Sequence, residues 1–433
     1  MDQTLKAKID ELIPTLAAVR RDLHKHPESG WTEFRTASMA IKKMQSLGYQ
    51  ITMGADAVDR DSMMGVPSEE VLKKHMARAV SQGADPALVE KMAGGMTGFW
   101  ADMDFGGEGP FLAVRFDMDC NDVSECADAD HRPNVEGFAS VNPGAMHACG
   151  HDGHMAIGLA LAEVVASMRD KFQGKIRFIF QPAEEGVRGA RPLAESGILD
   201  DLDYLYCGHL GCDIPGDEVV SAPEKFLCTT KVDFRFKGTA SHAGMQPEVG
   251  RNALMAGSTA SLALMALPRH GLGMTRVNVG YLRAGEGRNV IASTAEMQVE
   301  VRGETEAINT CMFNEAVTRA EGAAAMYGCT CEHEIMGEAI DFVPDLEVQE
   351  NIEEAAKTAR YCTKVSPTMN FNGSDDATVL IKRVQKAGGQ GGYLVVGSEL
   401  KAGHHQAKFD FEEKRLGEMF DIYRALVIKH TGA

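Results

Sequence analysis

The chain has 433 residues, 44% of them apolar and 24% charged, and carries a formal net charge of −18. That length exceeds one ordinary hydrophobic core, so two domains are expected. The acidic balance argues against nucleic acid or an anionic membrane as partner, since phosphate recognition needs a basic surface, and no apolar run approaches the ~18–20 residues that cross a bilayer.

Residues 1–16 read as an amphipathic helix without the basic start and apolar middle of a secretory signal, which makes a cytoplasmic protein the expectation. The ten cysteines show no repeated spacing and no C-x-x-C pair, as befits small buried hydrophobes in a reducing compartment. Residues 54–97 are charged and Met-rich and read as a helical hairpin. One helix begins after Pro67-Ser68-Glu69-Glu70 and the other after Asp85-Pro86. This insertion is either a surface embellishment or a substrate or partner contact. Residues 98–104 and 111–117 read as neighbouring strands joined by the Gly/Pro-rich turn 105–110. Residues 154–172 have helical apolar spacing, and 175–180 form a buried strand. Strand-loop-helix units of this kind predict an α/β sheet, flanked by helices, whose site lies at the carboxyl ends of the strands.

The pattern changes near Thr229. Strand 231–236, helix 251–267, strands 276–282 and 295–302, helix 304–327 and strand 329–335 follow in β-α-β-β-α-β order, which suits a small ferredoxin-like α+β domain. The predicted organisation is therefore a catalytic domain of residues 1–228 and 339–433, with a second domain of 229–338 inserted in it.

Two segments carry the chemistry. His147-Ala148-Cys149-Gly150-His151-Asp152-Gly153-His154 places three histidines, a cysteine and an aspartate within eight residues. A core has little use for that density, because each buried polar group needs its own partner. Gly150 permits a sharp backbone between Cys149 and His151, so both can face one cation, and His154 can orient a ligand. Gln181-Pro182-Ala183-Glu184-Glu185-Gly186 closes the buried strand with adjacent carboxylates, which cannot point the same way. One suits a metal and the other a general base, an allocation the spacing leaves open.

These motifs, with Ser241-His242-Ala243-Gly244, Gly287-Arg288-Asn289-Val290-Ile291 and the late run Gly403-His404-His405-Gln406-Ala407-Lys408-Phe409, resemble the co-catalytic metallopeptidase and aminoacylase superfamily in the same order along nearly the whole chain. The resemblance implies two divalent ions per chain, Mn2+ or Zn2+. Cys149, His151, Glu185, His209 and His405 would be the ligands and Glu184 the general base. His404 stays a less favoured alternative to His405. It further implies that the inserted domain is a lid and dimer contact, with His242 reaching a partner's site to stabilise an oxyanion. Asn289 would grip a substrate carboxylate, with Arg288 and Arg302 as weaker candidates. Asp117 and Asp119 would support ligands without being ligands. The implied reaction is hydrolysis of a small-molecule N-acyl amino acid, with p-aminobenzoyl-glutamate, a folate catabolite, as the preferred substrate. A general hippurate-type aminoacylase or dipeptidase is the alternative, as is a chain inactive without a related B subunit. Two departures bear on substrate preference: Gly373-Ser374-Asp375-Asp376-Ala377 replaces the family's Ser-Glu-Asp-Phe, and no proline follows His405.

Overall fold

The computed structural model describes residues 3–432. The first two residues of the expected N-terminal amphipathic helix lie outside them; the helix itself runs Gln3–Lys25. Among the described residues two compact units are present, one of residues 3–224, 342–371 and 376–432, the other of 225–341 and 372–375.

In the first unit the strands are β1 (Gln50–Met53), β2 (Phe99–Gly106), β3 (Phe111–Asp117), β4 (Gly174–Gln181), β5 (Tyr204–Leu210) and β6 (Glu218–Val220). The second unit supplies β7 (Cys228–Lys237), β8 (Ser241–His242), β9 (Thr275–Ala284), β10 (Val290–Ile291), β11 (Thr294–Gly303) and β12 (Thr330–Ala339). The chain then returns to the first unit for β13 (Lys364–Ser366) and β14 (Gln390–Val396).

The first unit is built on an eight-stranded mixed sheet in the order β1-β2-β4-β3-β5-β14-β6-β13. Its centre, β4-β3-β5-β14, is parallel. Those strands are buried almost throughout, as strands covered on both faces must be. Gly391 and Gly392 of β14 show the two covers: a Cβ on the first would touch Ile381 of helix Ala377–Ala387, and on the second Val348 of helix Leu346–Ala356. The core gathers Phe34, Phe116, Phe178, Phe180, Tyr206 and Tyr423, each contributing roughly 1.5–3 kcal/mol by leaving water.

Two expectations are corrected. The strands flanking the turn at 105–110 are not neighbours, because β4 lies between them, antiparallel to β2 and parallel to β3. A hairpin would have left β3 facing an antiparallel partner. Instead the crossover through helix His151–Ser167 returns the chain beside β3 in the parallel sense, the hand-restricted βαβ connection. The helix itself starts at His151, three residues before the expected position, since Gly150 adopts φ +99 and turns the chain into it. His151 therefore occupies the first helical turn.

In the region 54–97, helices Glu69–Ser81 and Pro86–Lys91 are N-capped by Ser68 and Asp85, whose side chains accept from the backbone N–H of Val71 and Ala87.

The second unit is a four-stranded antiparallel sheet, β12-β7-β11-β9, with a two-stranded ribbon β10-β8. Helices Ala253–Met265 and Glu306–Met326 cover one face. Strands β7 and β11 alternate accordingly, sending Val232, Phe234, Phe236, Met297 and Val299 into a separate core with Ala256, Ala260, Met312 and Ala316. This is the ferredoxin-like arrangement expected from the order of elements. Among the described residues no helix is long and apolar enough to cross a membrane.

Candidate active site

The carboxyl ends of β3, β4 and β5 deliver the chemistry-bearing residues of the first unit to one place. His151 is fully buried, and its Nδ1 lies 2.9 Å from the carbonyl oxygen of Asp119 just beyond β3. That contact leaves Nε2 facing inward, 3.7 Å from Glu184, 3.8 Å from Asp117 and 4.0 Å from Glu185. His151 Nε2 and Glu185 Oε1 are both buried and neither has a hydrogen-bond partner. Two orphaned polar atoms facing each other at 4.0 Å are costly unless something binds between them, and an imidazole nitrogen with carboxylate oxygens is a donor set for a divalent cation. The residues present therefore fit a metal.

The other expected donors join the same cluster. Ligand atoms of Cys149, His151 and His209 lie within 4.8 Å of one another, as do those of Cys149, Glu185 and His405, and those of His151, Glu184 and Glu185. Cys149 Sγ is 3.3 Å from His209 Nε2, and His405 Nε2 is 3.4 Å from Glu185 Oε2. His405 has φ +63, and its N–H donates to the carbonyl of Ala148, tying the late loop to the His/Cys loop. His404, its neighbour, has Nδ1 3.5 Å from Cys149 Sγ, while its Nε2 accepts from the N–H of Cys212.

The loop holding Glu184 and Glu185 is constrained at both ends. Asp119 accepts the N–H of Glu184 on one carboxylate oxygen at 3.0 Å and that of Glu185 on the other at 2.9 Å. Asp376 accepts the N–H groups of Gly189 and Ala190, and the Gln181 side chain. Between them Ala183 and Val187 take φ +50 and +56, conformations that L-residues hold only when their surroundings insist. Gly189 closes the loop, since a Cβ there would come within 1.6 Å of the Pro182 carbonyl oxygen. Beneath lies Glu33, fully buried, accepting from Thr97 Oγ1 and from the N–H of Ala183. Burial, then the charge of Asp119, raise its carboxyl to about 8.

The remaining members of the His/Cys segment support this arrangement. His154 Nε2 accepts from the N–H of Leu210, so its Nδ1–H donates to Asp117 at 2.6 Å. Asp152 forms a buried ion pair with Arg20 at 2.8 Å and meets His24. Burial opposes its charge, but Arg20 and the His24 hydrogen bond hold its carboxyl well below the usual range. His147 is buried with neither ring nitrogen partnered, and burial lowers its imidazole to about 3.

His242 and Asn289 belong to the second unit, where His242 pairs with Val290 in the ribbon and the N–H of Ala243 donates to the carbonyl of Asn289. His242 Nδ1 accepts from the N–H groups of Gly244 and Met245. Its exposed Nε2 therefore carries the proton. Arg288 is exposed. Arg302 forms a two-pronged ion pair with Glu300 at 2.9 Å, so its guanidinium is already engaged.

Sequence reasoning missed Glu33, Arg20 and the use of Asp376. The first two lie far from the motifs they support. Glu33, between Trp31 and Phe34, offered a faint signal: an acid amid bulky apolar residues.

A mixed α/β sheet with a ferredoxin-like second unit, and a buried Cys/His/Glu cluster at its strand ends, defines a hydrolase of the metal-dependent amidohydrolase type. Residues 113–429 match Peptidase family M20/M25/M40, and the chain belongs to that family. It is similar to an indole-3-acetyl-aspartic acid hydrolase of Enterobacter agglomerans, 48% identical over 94% of each chain. It is also similar to the A subunit of p-aminobenzoyl-glutamate hydrolase from Escherichia coli K12, 44% identical over 96% of this chain and 95% of that one. Among solved structures, the aminobenzoyl-glutamate utilization protein of Klebsiella pneumoniae superposes with a TM-score of 0.85 at 38% identity, covering 98% of each chain.

Proposed function

We propose that this chain hydrolyses the amide between an aromatic acyl group and an acidic amino acid, with p-aminobenzoyl-glutamate as substrate and p-aminobenzoate and glutamate as products. The reading is carried by the facing orphaned atoms of His151 and Glu185, with the Glu184 carboxylate beside them. The relatives support the substrate class: those described above are named for amides of aspartate or glutamate with an aromatic acid. Indole-3-acetyl-aspartate is accordingly a second substrate to test, and hippurate represents a general aminoacylase.

Cys149, His151, Glu185, His209 and His405 would hold two divalent ions, manganese or zinc. When bound, such ions lower the pKa of water and polarise an amide carbonyl. Glu184 takes the proton of the attacking water and returns it to the departing amine. The His242 Nε2–H is free to stabilise an oxyanion, and Asn289, whose carbonyl accepts from the N–H of the adjacent Ala243, grips the substrate carboxylate with Arg288. In this reading His242 serves a second copy of the chain. Helix Ala253–Met265 leaves Leu254, Met255, Leu262 and Met265 exposed, an apolar surface suited to a homodimer contact. A related B subunit is the alternative occupant, favoured by the Escherichia coli relative's being named as one subunit of its hydrolase.

The test is release of free amine from p-aminobenzoyl-glutamate, indole-3-acetyl-aspartate and hippurate by protein loaded with manganese or zinc. Selective cleavage of the first confirms the reading, and cleavage of hippurate alone moves the chain to the general aminoacylases. Silence on all three with metal bound indicates a missing subunit. Glu184→Ala should lower turnover about 10²–10⁴-fold with metal retained, and Glu185→Ala should lose metal. The reverse pattern would exchange their roles.

A further inference from the structure

We propose that His404 is a positioning residue for the Cys149 sulfur, donating a hydrogen bond from Nδ1–H that fixes its orientation and moderates its donor strength. This rests on the reading above, in which Cys149 holds metal as a thiolate. The argument is one of tautomer. The backbone N–H of Cys212 donates to His404 Nε2 at 3.0 Å. A backbone amide cannot reverse its role, so Nε2 carries no proton and the neutral ring must be protonated on Nδ1. That nitrogen lies 3.5 Å from Cys149 Sγ, the reach of an N–H···S bond. With Nε2 committed, His404 could bind a metal through Nδ1 only as an imidazolate. His405 has no such commitment at Nε2, which faces Glu185.

The chain is shaped to hold this geometry. Gly211, Cys212 and Asp213 all adopt left-handed conformations, with φ +88, +51 and +59, and this turn aims the Cys212 N–H at the imidazole. Only glycine fits at 211 without strain, where a Cβ would lie 3.0 Å from His404 Nε2. The rings of His209 and Phe409, at 5.3 and 4.9 Å between centroids, hold the imidazole from two sides. The same Cys212 has its Sγ 3.4 Å from Nδ1 of His209, so one short turn contacts both imidazoles flanking the Cys149 sulfur. A hydrogen bond to a thiolate withdraws density from sulfur and favours the thiolate over the thiol.

The experiment uses the full-length protein loaded with cobalt(II), whose sulfur-to-metal charge-transfer band in the near ultraviolet reports the Cys149 bond directly. Native protein should show the band, and Cys149→Ser should abolish it. His404→Phe should keep the cobalt stoichiometry, move the band to longer wavelength and bind cobalt about 10–100-fold more weakly. His404→Asn places an amide nitrogen where Nδ1 sits and should restore both. His404→Gln, which has no donor at that position, is the second variant if phenylalanine prevents folding, and should behave as the phenylalanine variant does. An unchanged band in the donor-less variants overturns the proposal. Loss of one cobalt in every His404 variant overturns it too, making His404 a ligand. No band in the native protein removes Cys149 from the metal site, and the proposal falls with the underlying reading.

Discussion

Asp119→Asn tests whether the glutamate loop is held by the carboxylate beneath it. Each oxygen of Asp119 accepts one backbone N–H, from Glu184 at 3.0 Å and from Glu185 at 2.9 Å, in a fully buried setting. A hydrogen bond to a charged group contributes about 1.5–3 kcal/mol and a neutral one about 1 kcal/mol. Asparagine keeps one oxygen, so one bond falls from charged to neutral. Its amide meets the other N–H donor to donor, losing that bond and leaving a buried group unsatisfied. The two losses together come to about 2–5 kcal/mol of stability. Relief of repulsion with Glu33 returns little near neutral pH, because Glu33, raised to about 8, still holds its proton there. The loop then relaxes, and a displacement near 1 Å of catalytic groups costs on the order of 10²-fold in rate. Urea unfolding, metal content after dialysis and amide turnover measure the three consequences. Native turnover and metal content in a folded Asp119→Asn protein would refute the reasoning, since the glutamates would then be held by something else.

Glu33→Gln should flatten the pH dependence of stability. A carboxyl raised from 4.5 to about 8 in the folded protein contributes stability that is full below about 4.5 and is lost as pH rises through 8. Urea midpoints between pH 5 and 9 should therefore fall more steeply in native protein, by up to about 1.4 kcal/mol per pH unit; parallel profiles would show that Glu33 titrates normally. Gly158→Ala adds a Cβ 2.8 Å from the buried Phe116 ring. Overpacking of about 1–3 kcal/mol exceeds the roughly 0.5–1 kcal/mol gained in helix propensity, so the melting temperature should drop; a rise would mean the ring yields freely. His242→Ala should lower kcat about 10²–10³-fold with metal content unchanged. If His242 acts across a dimer, mixing that variant with Glu184→Ala should yield activity that neither shows alone, because the mixed dimer contains one complete site; no recovery would confine His242 to its own chain.

What the sequence made legible depended on how locally each feature is encoded. The βαββαβ unit could be read because alternation in strands such as β7 and β11 lies within short windows. The position of β4 between β2 and β3 could not, because a turn rich in glycine and proline fits both a hairpin and a wider exit. The choice is made by the helix that follows β3, whose return brings β4 alongside in parallel. The site divides the same way. Cys149, His151 and the Glu184-Glu185 pair stood out by density and Asp119 by resemblance, but the other groups that hold them are scattered: Asp376 from a distant segment, Glu33 and Arg20 from near the N-terminus. Such residues leave no local pattern: Glu33 and Asp376 satisfy backbone groups that a strained loop has left without partners, and Arg20 pairs the buried carboxylate of Asp152. The adjacent His404 and His405 mark the limit. As letters they are equivalent, and what separates their surroundings is one backbone N–H, donated to His404 by a left-handed Cys212 far away in sequence. A tautomer is set by tertiary contact, and two identical side chains acquire different chemistry from it.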